Sequence, residues 1–268
     1  MEISLDFGGS FVDVVIFKEK EIVKTVSFSN SAETNIYKKL ENIFSNQYEK
    51  IYYVGSPKYF SFLKKHAPVT RIEEIKAIGA GALFLYPTKK PVLIASLGTG
   101  TCFVSFKGNC FQHVGGTAIG GGTLLGLSNL LFQETNINKI EDLALKGSSK
   151  NIHLSIQEIV GTNLAKLDAN LAASYFAKAI NKKNNYKLED LAQGVFSLCG
   201  GVIASTLKLA AESERIKTVL LGGRLAQSSL MVEIIKNFTD IFKIKVEVLN
   251  SCEYMTAIGA FSYGEKRN

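Results

Sequence analysis

The sequence Asp6-Phe7-Gly8-Gly9-Ser10 lies between two short apolar stretches near the N-terminus. Alternating apolar residues on either side of a glycine pair predict a strand, a tight turn and a second strand. The same order recurs later in the chain, where an apolar run over residues 92–96 leads into Gly98-Thr99-Gly100-Thr101 and a further hairpin. Because this unit occurs twice, the sequence predicts two similar lobes around a cleft.

Both turns have a composition that suits phosphate binding. Glycine allows the backbone N–H groups of a turn to approach an anion closely, and Ser10 adds a hydroxyl donor. Asp6 ends the first strand, where its carboxylate is expected to hold a magnesium ion through water. Either turn alone is also typical of a plain hairpin, so it is the recurrence that favours phosphate. The residues that we predict to bind phosphate or magnesium from these turns are Asp6, Gly8, Gly9, Ser10, Gly98, Thr99, Gly100 and Thr101.

A third glycine-rich stretch, Gly120-Gly121-Gly122-Thr123, precedes a predicted helix. A helix N-terminus presents free N–H groups and the positive end of its dipole, so Gly121, Gly122 and Thr123 are predicted to face an anion. Tight helix packing is the alternative explanation of these glycines. The chain has no GxxxxGK[ST] motif, and no βαβ unit with an acidic partner follows the glycines. Both a P-loop and a dinucleotide-binding fold are therefore disfavoured.

Paired turns of this kind match the actin-like and hexokinase-like fold, an α/β, ribonuclease H-like architecture in which two duplicated lobes enclose a central ATP cleft. We expect the first lobe to span residues 1–88 and the second residues 89–268, with a hinge near residues 85–91. A mostly helical insertion is predicted at about residues 123–210 of the second lobe. The last helix, within residues 256–268, is expected to pack back on the first lobe.

The composition is that of a globular protein, with 46% of the 268 residues hydrophobic and 21% charged. The net charge of +7 favours anionic ligands, but the lysines are scattered and no nucleic-acid-binding motif is present, so no nucleic-acid partner is expected. No apolar run reaches the roughly 18 residues of a membrane span, and the N-terminus lacks a signal-peptide pattern. These features predict a cytoplasmic protein without a membrane partner, whose four cysteines are reduced thiols.

With these turns in place, the chain resembles the type II pantothenate kinases over nearly its whole length. The block from residue 98 to residue 127 is the most specific part, because other actin-like sugar kinases usually share the first turn but not this block. The matching segments beyond the first two turns are Val114-Gly115-Gly116, Gly120-Gly121-Gly122-Thr123-Leu124-Leu125-Gly126-Leu127, Leu171-Ala172-Ala173-Ser174-Tyr175-Phe176, Leu221-Gly222-Gly223 and Ala257-Ile258-Gly259-Ala260.

The resemblance implies a homodimeric kinase that uses ATP and Mg²⁺ to phosphorylate the 4′-hydroxyl of pantothenate, or of a related pantetheine, in the first step towards coenzyme A. It places the adenine near Gly222 and Gly223, at the end of a strand. It also implies a glutamate general base, which aligns with Glu74 and has Glu73 as its alternative. From its own residue type and position, Glu74 is more simply an exposed acid at the start of a helix.

Three positions depart from the family pattern. His113 stands where the family has an arginine that contacts the substrate, and we keep it as a catalytic candidate although a neutral histidine lacks the bidentate fork of arginine. Lys76 or Arg71 are alternative cations for that role. Asp13 stands where the family usually has lysine, and a carboxylate there repels phosphate unless a metal intervenes. Ile137 occupies a position that is tyrosine in some relatives.

These departures leave two alternative functions open. One is an ATP-binding homologue with weak or no kinase activity. The other is a kinase of another small hydroxyl-bearing acceptor, such as a sugar. Amino-sugar kinases of this fold usually carry an aspartate base and often a zinc cluster of cysteine and histidine, and the sequence has no cysteine or histidine spacing of that kind.

Overall fold

The computed structural model describes residues 1–30, 35–163, 165, 168–180 and 186–266. In the first lobe, a glycine turn separates the first two strands, and the side chain of Asn35 caps the first helix by accepting the N–H of Lys38. The elements of this lobe are β1 (Glu2–Phe7), β2 (Phe11–Lys18), β3 (Glu21–Ser29), α1 (Ile36–Ile43), β4 (Lys50–Gly55), α2 (Phe60–Leu63), β5 (Val69–Arg71) and α3 (Glu74–Leu85).

The second lobe begins with another strand, turn and strand, and its chain ends in a helix. Its elements are β6 (Val92–Leu97), β7 (Thr101–Lys107), β8 (Cys110–Thr117), α4 (Gly121–Phe132), α5 (Ile137–Ala144), β9 (Leu154–Ser155), α6 (Ile156–Val160), β10 (Ala172–Ser174), α7 (Leu188–Ser213), β11 (Thr218–Gly222), α8 (Ser229–Asp240), β12 (Lys245–Val248) and α9 (Met255–Glu265).

The two large sheets have the same topology. In the first, the strand order is β3-β2-β1-β4-β5, with β1, β2 and β3 antiparallel and with β4 and β5 continuing parallel to β1. In the second, the order β8-β7-β6-β11-β12 repeats this pattern of directions strand for strand. The predicted duplicated, two-lobed α/β fold is therefore confirmed.

Strand β1 is buried on both faces. On one face, Ile3 and Leu5 pack with Leu40 of helix α1. On the other face, the sheet packs against helix α9, where the rings of Phe17 and Phe261 stack with their centroids 3.8 Å apart. Helix α9 thus packs on the first sheet although it follows the second lobe in sequence. Residues 267 and 268, the end of the predicted last helix, lie outside the described residues.

Helices α3 and α9 cross in direct backbone contact. A Cβ atom on Gly81 would lie 1.9 Å from the carbonyl oxygen of Met255, and one on Gly259 would lie 1.7 Å from that of Ala77. A side chain at either position would therefore push the helices apart. Residues 86–91 then connect α3 to β6, within the segment where the hinge is predicted. The boundary between the lobes stays a prediction.

The insertion is less helical than its sequence predicts. Between α5 and α7, the described residues form the short helix α6, two 3₁₀ turns and the two-stranded β9–β10 ribbon. Helix α6 begins at a capping box between Ser155 and Glu158, and it ends after five residues at Gly161, whose φ of 80° is left-handed. Such strong local start and stop signals keep this segment from forming a long helix. Within the helical insertion predicted at about residues 123–210, the helices are therefore concentrated in α4, α5 and α7, and the part between α5 and α7 departs from the prediction.

Helix α7 is the one helix of the described ranges that is long and apolar enough to cross a membrane by length and composition. Half of its most apolar window is buried inside the protein. Phe196, Cys199, Ile203 and Leu207 have no exposed surface and belong to the core of the second lobe. This packing accounts for the apolar composition of α7.

Candidate active site

A cavity of about 870 Å³ lies between the two lobes. Its walls include both predicted phosphate turns, the start of α3, the start of α4 and the residues that follow β11. The sequence-predicted residues that line it are Asp6, Gly8, Gly9, Ser10, Glu74, Gly98, Thr99, Gly100, Thr101, Gly121, Gly122 and Gly223.

The two glycine turns meet across this cavity. The hydroxyl oxygens of Ser10 and Thr99 lie 3.0 Å apart, within hydrogen-bonding distance. Gly9 leaves little room between the turns, since a Cβ atom there would lie 3.2 Å from the hydroxyl oxygen of Thr99. Asn30, at the end of β3, fixes the first turn by donating its side-chain amide to the carbonyl of Gly8 at 2.6 Å. The backbone of a glycine turn from each lobe thus lines the same cavity.

The glycine run at the start of α4 supports the second turn from behind. The N–H of Gly121 donates to the carbonyl of Gly98, and the N–H of Gly122 donates to the carbonyl of Thr99, each at 2.9 Å. The hydroxyl of Thr101 donates to the carbonyl of Ile119 at 2.8 Å. From the sequence, these two glycine N–H groups were predicted to be free for an anion. That prediction was wrong, because both donate to carbonyls of the 98–101 turn.

Three predicted site residues lie outside the cavity lining. His113 is exposed on the edge strand β8, where it pairs with Val104. Thr123 donates its hydroxyl to the carbonyl of Ala118 at 3.1 Å, which ties the first turn of α4 to the segment before it. A Cβ atom on Gly222 would lie 2.2 Å from the sulfur of Met255, so the missing side chain at this position makes room for Met255.

Glu74 stands in the first turn of α3 and lines the cavity, whereas its neighbour Glu73 is the residue that precedes the helix and does not line it. On the facing strand β7, Cys102 also lines the cavity. Burial, and then the charge of Glu74, raise the pKa of the Cys102 thiol to about 11. The thiol is therefore protonated near neutral pH and is a poor nucleophile.

Carboxyl groups dominate the charge of the cavity wall. Asp6 lies deep in it, and burial followed by the charges of Asp13 and Glu74 raises the pKa of its carboxyl to about 7. A carboxylate in such a place favours a cation, and oxygen donors are the ligands that Mg²⁺ prefers. Within the described ranges, no group of three or more histidine, cysteine, aspartate or glutamate side chains forms a direct metal site. The carboxyl-bearing residues of the lining are Asp6, Asp13, Glu74, Glu141 and Glu253.

Arg224 is the only lysine or arginine among the described residues that line the cavity, and it was not predicted from the sequence. Its Nη2 donates to Asp13 Oδ1 at 2.5 Å and to Ser27 Oγ at 2.6 Å. Its guanidinium carbon lies 4.0 Å from the centroid of the Phe11 ring. The unusual carboxylate at position 13 was the available signal, because a buried acid calls for a nearby cation.

The two cations that the sequence offered for the arginine role lie elsewhere. Lys76 Nζ is 3.5 Å from the carbonyl oxygen of Phe111, and Arg71 Nε donates to the carbonyl of Gly55 at 3.1 Å. Neither side chain lines the cavity. By contrast, Ile137 does line it, as do the apolar residues Leu125 and Leu225.

A family model described as Fumble matches residues 85–263 of the chain. The chain belongs to the Fumble family. This Fumble-family chain is 27% identical over 274 residues to the type II pantothenate kinase of Bacillus cereus (strain G9842), and the alignment covers 98% of each protein. The resemblance that the sequence motifs indicated is thereby confirmed.

Solved structures with the same fold accompany the family match. The activator of the 2-hydroxyisocaproyl-CoA dehydratase from Clostridium difficile, with bound ADPNP, is similar with a TM-score of 0.68 at 16% identity, covering 99% of this Fumble-family chain and 95% of its own. Component A of the (R)-2-hydroxyglutaryl-CoA dehydratase from Acidaminococcus fermentans is similar with a TM-score of 0.66 at 18% identity, covering 100% and 99%. At these identities, the likeness concerns the fold.

Proposed function

We propose that this chain is an ATP-dependent kinase that phosphorylates the 4′-hydroxyl of pantothenate. The observation that carries the proposal is the cavity in which glycine turns of both lobes meet beside Glu74. The membership of the Fumble family and the near full-length similarity to a type II pantothenate kinase support pantothenate as the acceptor. The reaction belongs to the early part of coenzyme A biosynthesis.

In this proposal, the triphosphate of ATP lies between the two turns. The backbone N–H groups of residues 8–10 and 98–101 bind its oxygens, as expected of glycine turns that line a shared space. The adenine lies near Gly223, where Leu125, Ile137 and Leu225 offer it an apolar surface. Gly223 has a φ of 85°, and a Cβ atom there would lie 2.5 Å from the carbonyl oxygen of Leu97, so only glycine suits this close turn.

Asp6 is the residue that we propose to hold magnesium, through water. When bound, Mg²⁺ neutralises the negative charge that develops on the phosphate oxygens during transfer. Asp6 would orient the hydration shell of the ion from the floor of the cavity. The same ion would favour the ionised form of this carboxyl.

Glu74 is the proposed general base. Its carboxylate would accept the proton of the attacking hydroxyl while the turns hold the phosphate in place, since phosphoryl transfer relies mainly on positioning and charge neutralisation. Its place in the first turn of α3, on the cavity wall, supports this role over that of Glu73.

His113 is proposed to contact the outer end of the acceptor rather than the nucleotide. Strand β8 runs from Phe111, whose ring lies against Gly79 of α3, to Thr117, which lines the cavity. His113 lies between these two points on the same strand and is exposed. An acceptor longer than a simple alcohol would reach from Glu74 towards it.

We further propose that the chain is a cytoplasmic homodimer. Among the described residues, large exposed apolar side chains are frequent in and around the insertion, and Leu130 and Ile180 are 82% and 83% exposed. Where such side chains lie together, they form a surface that another subunit covers. The exposed members of this group are Leu130, Leu131, Leu145, Ile159, Val160, Ile180 and Leu188.

The test is ADP formation by the purified chain with Mg²⁺, ATP and pantothenate. We expect pantothenate to stimulate ADP release, and Glu74→Gln to lower kcat by about 10²–10⁴-fold because the proton acceptor is lost. Glu73→Gln is the matched control and should retain nearly full activity. Absence of stimulation by both pantothenate and pantetheine would reject the proposal.

An ATP-binding homologue with little turnover is the second candidate. The observation that favours it is the charge of the cavity, where Arg224 is the only lysine or arginine among the described lining residues and already pairs with Asp13. In that case, calorimetry would detect ATP binding while a panel of acceptors, including sugars, gave no ADP. A turnover of about 1 s⁻¹ or faster with any acceptor would exclude it.

A further inference from the structure

We propose that Asp13 and Arg224 form a clasp between the lobes that holds the cleft in its nucleotide-binding geometry. Arg224 is then a positioning residue, and its task is to hold the lobes together rather than to bind a phosphate group. The inference rests on the nucleotide cleft of the proposed function, but it does not depend on which acceptor the chain phosphorylates.

The clasp is built from a side chain that crosses the cleft. The backbone of Arg224 belongs to the second lobe, in the 3₁₀ turn Arg224–Gln227 that follows β11. All the partners described for its guanidinium are in the first lobe: Asp13 on β2, Ser27 on β3 and the ring of Phe11. Ser27 also donates to Asp13 Oδ1 at 2.6 Å, so the acid is held in place from its own sheet.

Burial makes the pair hard to separate. The side chain of Asp13 is 11% exposed and that of Arg224 is 31% exposed. Burial is the largest influence and holds the pKa of Asp13 above its usual value, although the bonds from Ser27 and Arg224 and the charge of Arg224 act to lower it. If the lobes parted, this carboxylate would lose its cation while the side chain of Ser27 alone remained beside it, and a buried charge without its partner is costly.

The position of the Asp13–Arg224 pair lets it control how far the cleft opens. On one side of the molecule, α3 and α9 join the lobes through backbone contacts at Gly81 and Gly259 that leave no room for adjustment. At the cavity, the hydrogen bonds described between the lobes are made by side chains: Ser10 with Thr99, and Arg224 with both Asp13 and Ser27. Side-chain contacts open and close more readily than a backbone crossing, so the clasp side is where the cleft would open.

A clasp of this kind acts on nucleotide affinity. When only the closed cleft binds the nucleotide, the apparent Kd equals the intrinsic Kd divided by the closed fraction. Breaking the clasp lowers that fraction and weakens binding, although no group that touches the nucleotide is removed. This sets a clasp apart from a phosphate-binding arginine, which would bind more tightly once Asp13 ceased to compete for it.

The test is calorimetric titration of the full chain with Mg²⁺ and a non-hydrolysable ATP analogue, which requires no acceptor. We expect Arg224→Gln and Asp13→Asn each to weaken binding about 10-fold, and the double variant to be no weaker than the worse single variant, because both remove one interaction. The exchanged pair, Asp13→Arg with Arg224→Asp, should return to within about 3-fold of the wild type. Lys245→Gln is the control, since it removes one positive charge from a side chain that is 66% exposed. Lys245 lies beside Thr218 at the start of β11, whereas Arg224 follows the opposite end of that strand.

Hydrogen exchange provides the second readout. Peptides that contain residues 8–10 should exchange faster in Arg224→Gln than in the wild type, because the first turn loses its closed contact. Arg224→Lys, which keeps the charge, should fall between the two, and thermal unfolding of each variant verifies that it folds.

The clasp is overturned if Asp13→Asn leaves binding unchanged or tightens it while Arg224→Gln weakens it, since Arg224 would then act on the nucleotide directly. It is equally overturned if the two single effects add in the double variant, or if neither variant changes affinity. Failure of the proposed function looks different, because ATP analogue binding would persist while pantothenate gave no ADP.

Discussion

At the scale of single residues, the ionised carboxylate of Asp6 lowers the stability of the fold but suits the binding of a cation. Its carboxyl is placed where burial and two neighbouring acids raise its pKa from 3.8 to about 7. Without a bound cation, an ionised Asp6 therefore destabilises the fold at higher pH. The carboxylate is kept at this position because, in the proposed mechanism, a bound cation offsets that cost.

The sign of this effect gives a pH-dependent prediction. Because the folded-state pKa lies above the unfolded value, the stability that this group contributes is complete below about pH 4 and is lost as the pH rises through about 7. Asp6→Asn should therefore raise the Tm of the ligand-free chain at pH 8, by roughly 2–4 °C for each kcal/mol regained, and change it much less at pH 4.5. Thermal unfolding at the two pH values measures this.

Asp142→Asn is the matched control, since Asp142 is exposed on α5. It should leave the difference between the two pH values unaltered. The account of Asp6 fails if Asp6→Asn lowers the Tm equally at both pH values. The same Asp6→Asn chain should lose most of its kinase activity, which separates its gain in stability from its loss of function.

At the scale of elements, the crossing of α3 and α9 fixes the relation between the lobes. Helix α3 carries Glu74 at its start, and α9 packs on the first sheet after the chain has completed the second. The crossing depends on Gly81 and Gly259, each of which lies against backbone of the other helix. Glu74 is thereby held at a set place on the cavity wall.

Gly259→Ala is expected to destabilise the chain by about 1–3 kcal/mol, because the new methyl group overlaps the carbonyl of Ala77 and forces the helices apart. Gly126→Ala in α4 is the control, since a Cβ atom there meets nothing within 4 Å. It should be neutral, or stabilising by about 0.5–1 kcal/mol through the helix preference of alanine. Urea unfolding of both variants measures the change in the free energy of unfolding. Equal destabilisation by the two would contradict the packing argument.

Elements with strong local signals were predictable from the sequence, and long-range pairings were not. The two strand–turn–strand units and the strand ends at Gly98 and Gly223 follow from alternation and glycine alone. The insertion was predicted to be too helical because its apolar residues suggest helices. Local signals limit helix α6 to five residues, with a capping box at Ser155 and a left-handed glycine at Gly161. The Asp13–Arg224 pair joins positions 211 residues apart, so no local pattern indicates it. The same holds for the N–H groups of Gly121 and Gly122, whose acceptors lie in another turn.

At the scale of the whole molecule, duplication explains why one cavity receives the same kind of turn twice. The two sheets have equal topology, and the turn between the first two antiparallel strands of each lines the same cavity. A ligand with a chain of phosphates is long enough to touch both turns at once. Nucleotide binding would thus link the lobes, and the backbone crossing and the proposed clasp would hold the two sides of the cleft.

The most direct measurement of this account is a crystal structure of the chain with Mg²⁺, a non-hydrolysable ATP analogue and pantothenate. The account predicts phosphate oxygens within hydrogen-bonding distance of backbone N–H groups from both residues 8–10 and residues 98–101, with the 4′-hydroxyl beside Glu74. A nucleotide that touches only one of the two turns, or that binds outside the cavity between the lobes, would contradict it.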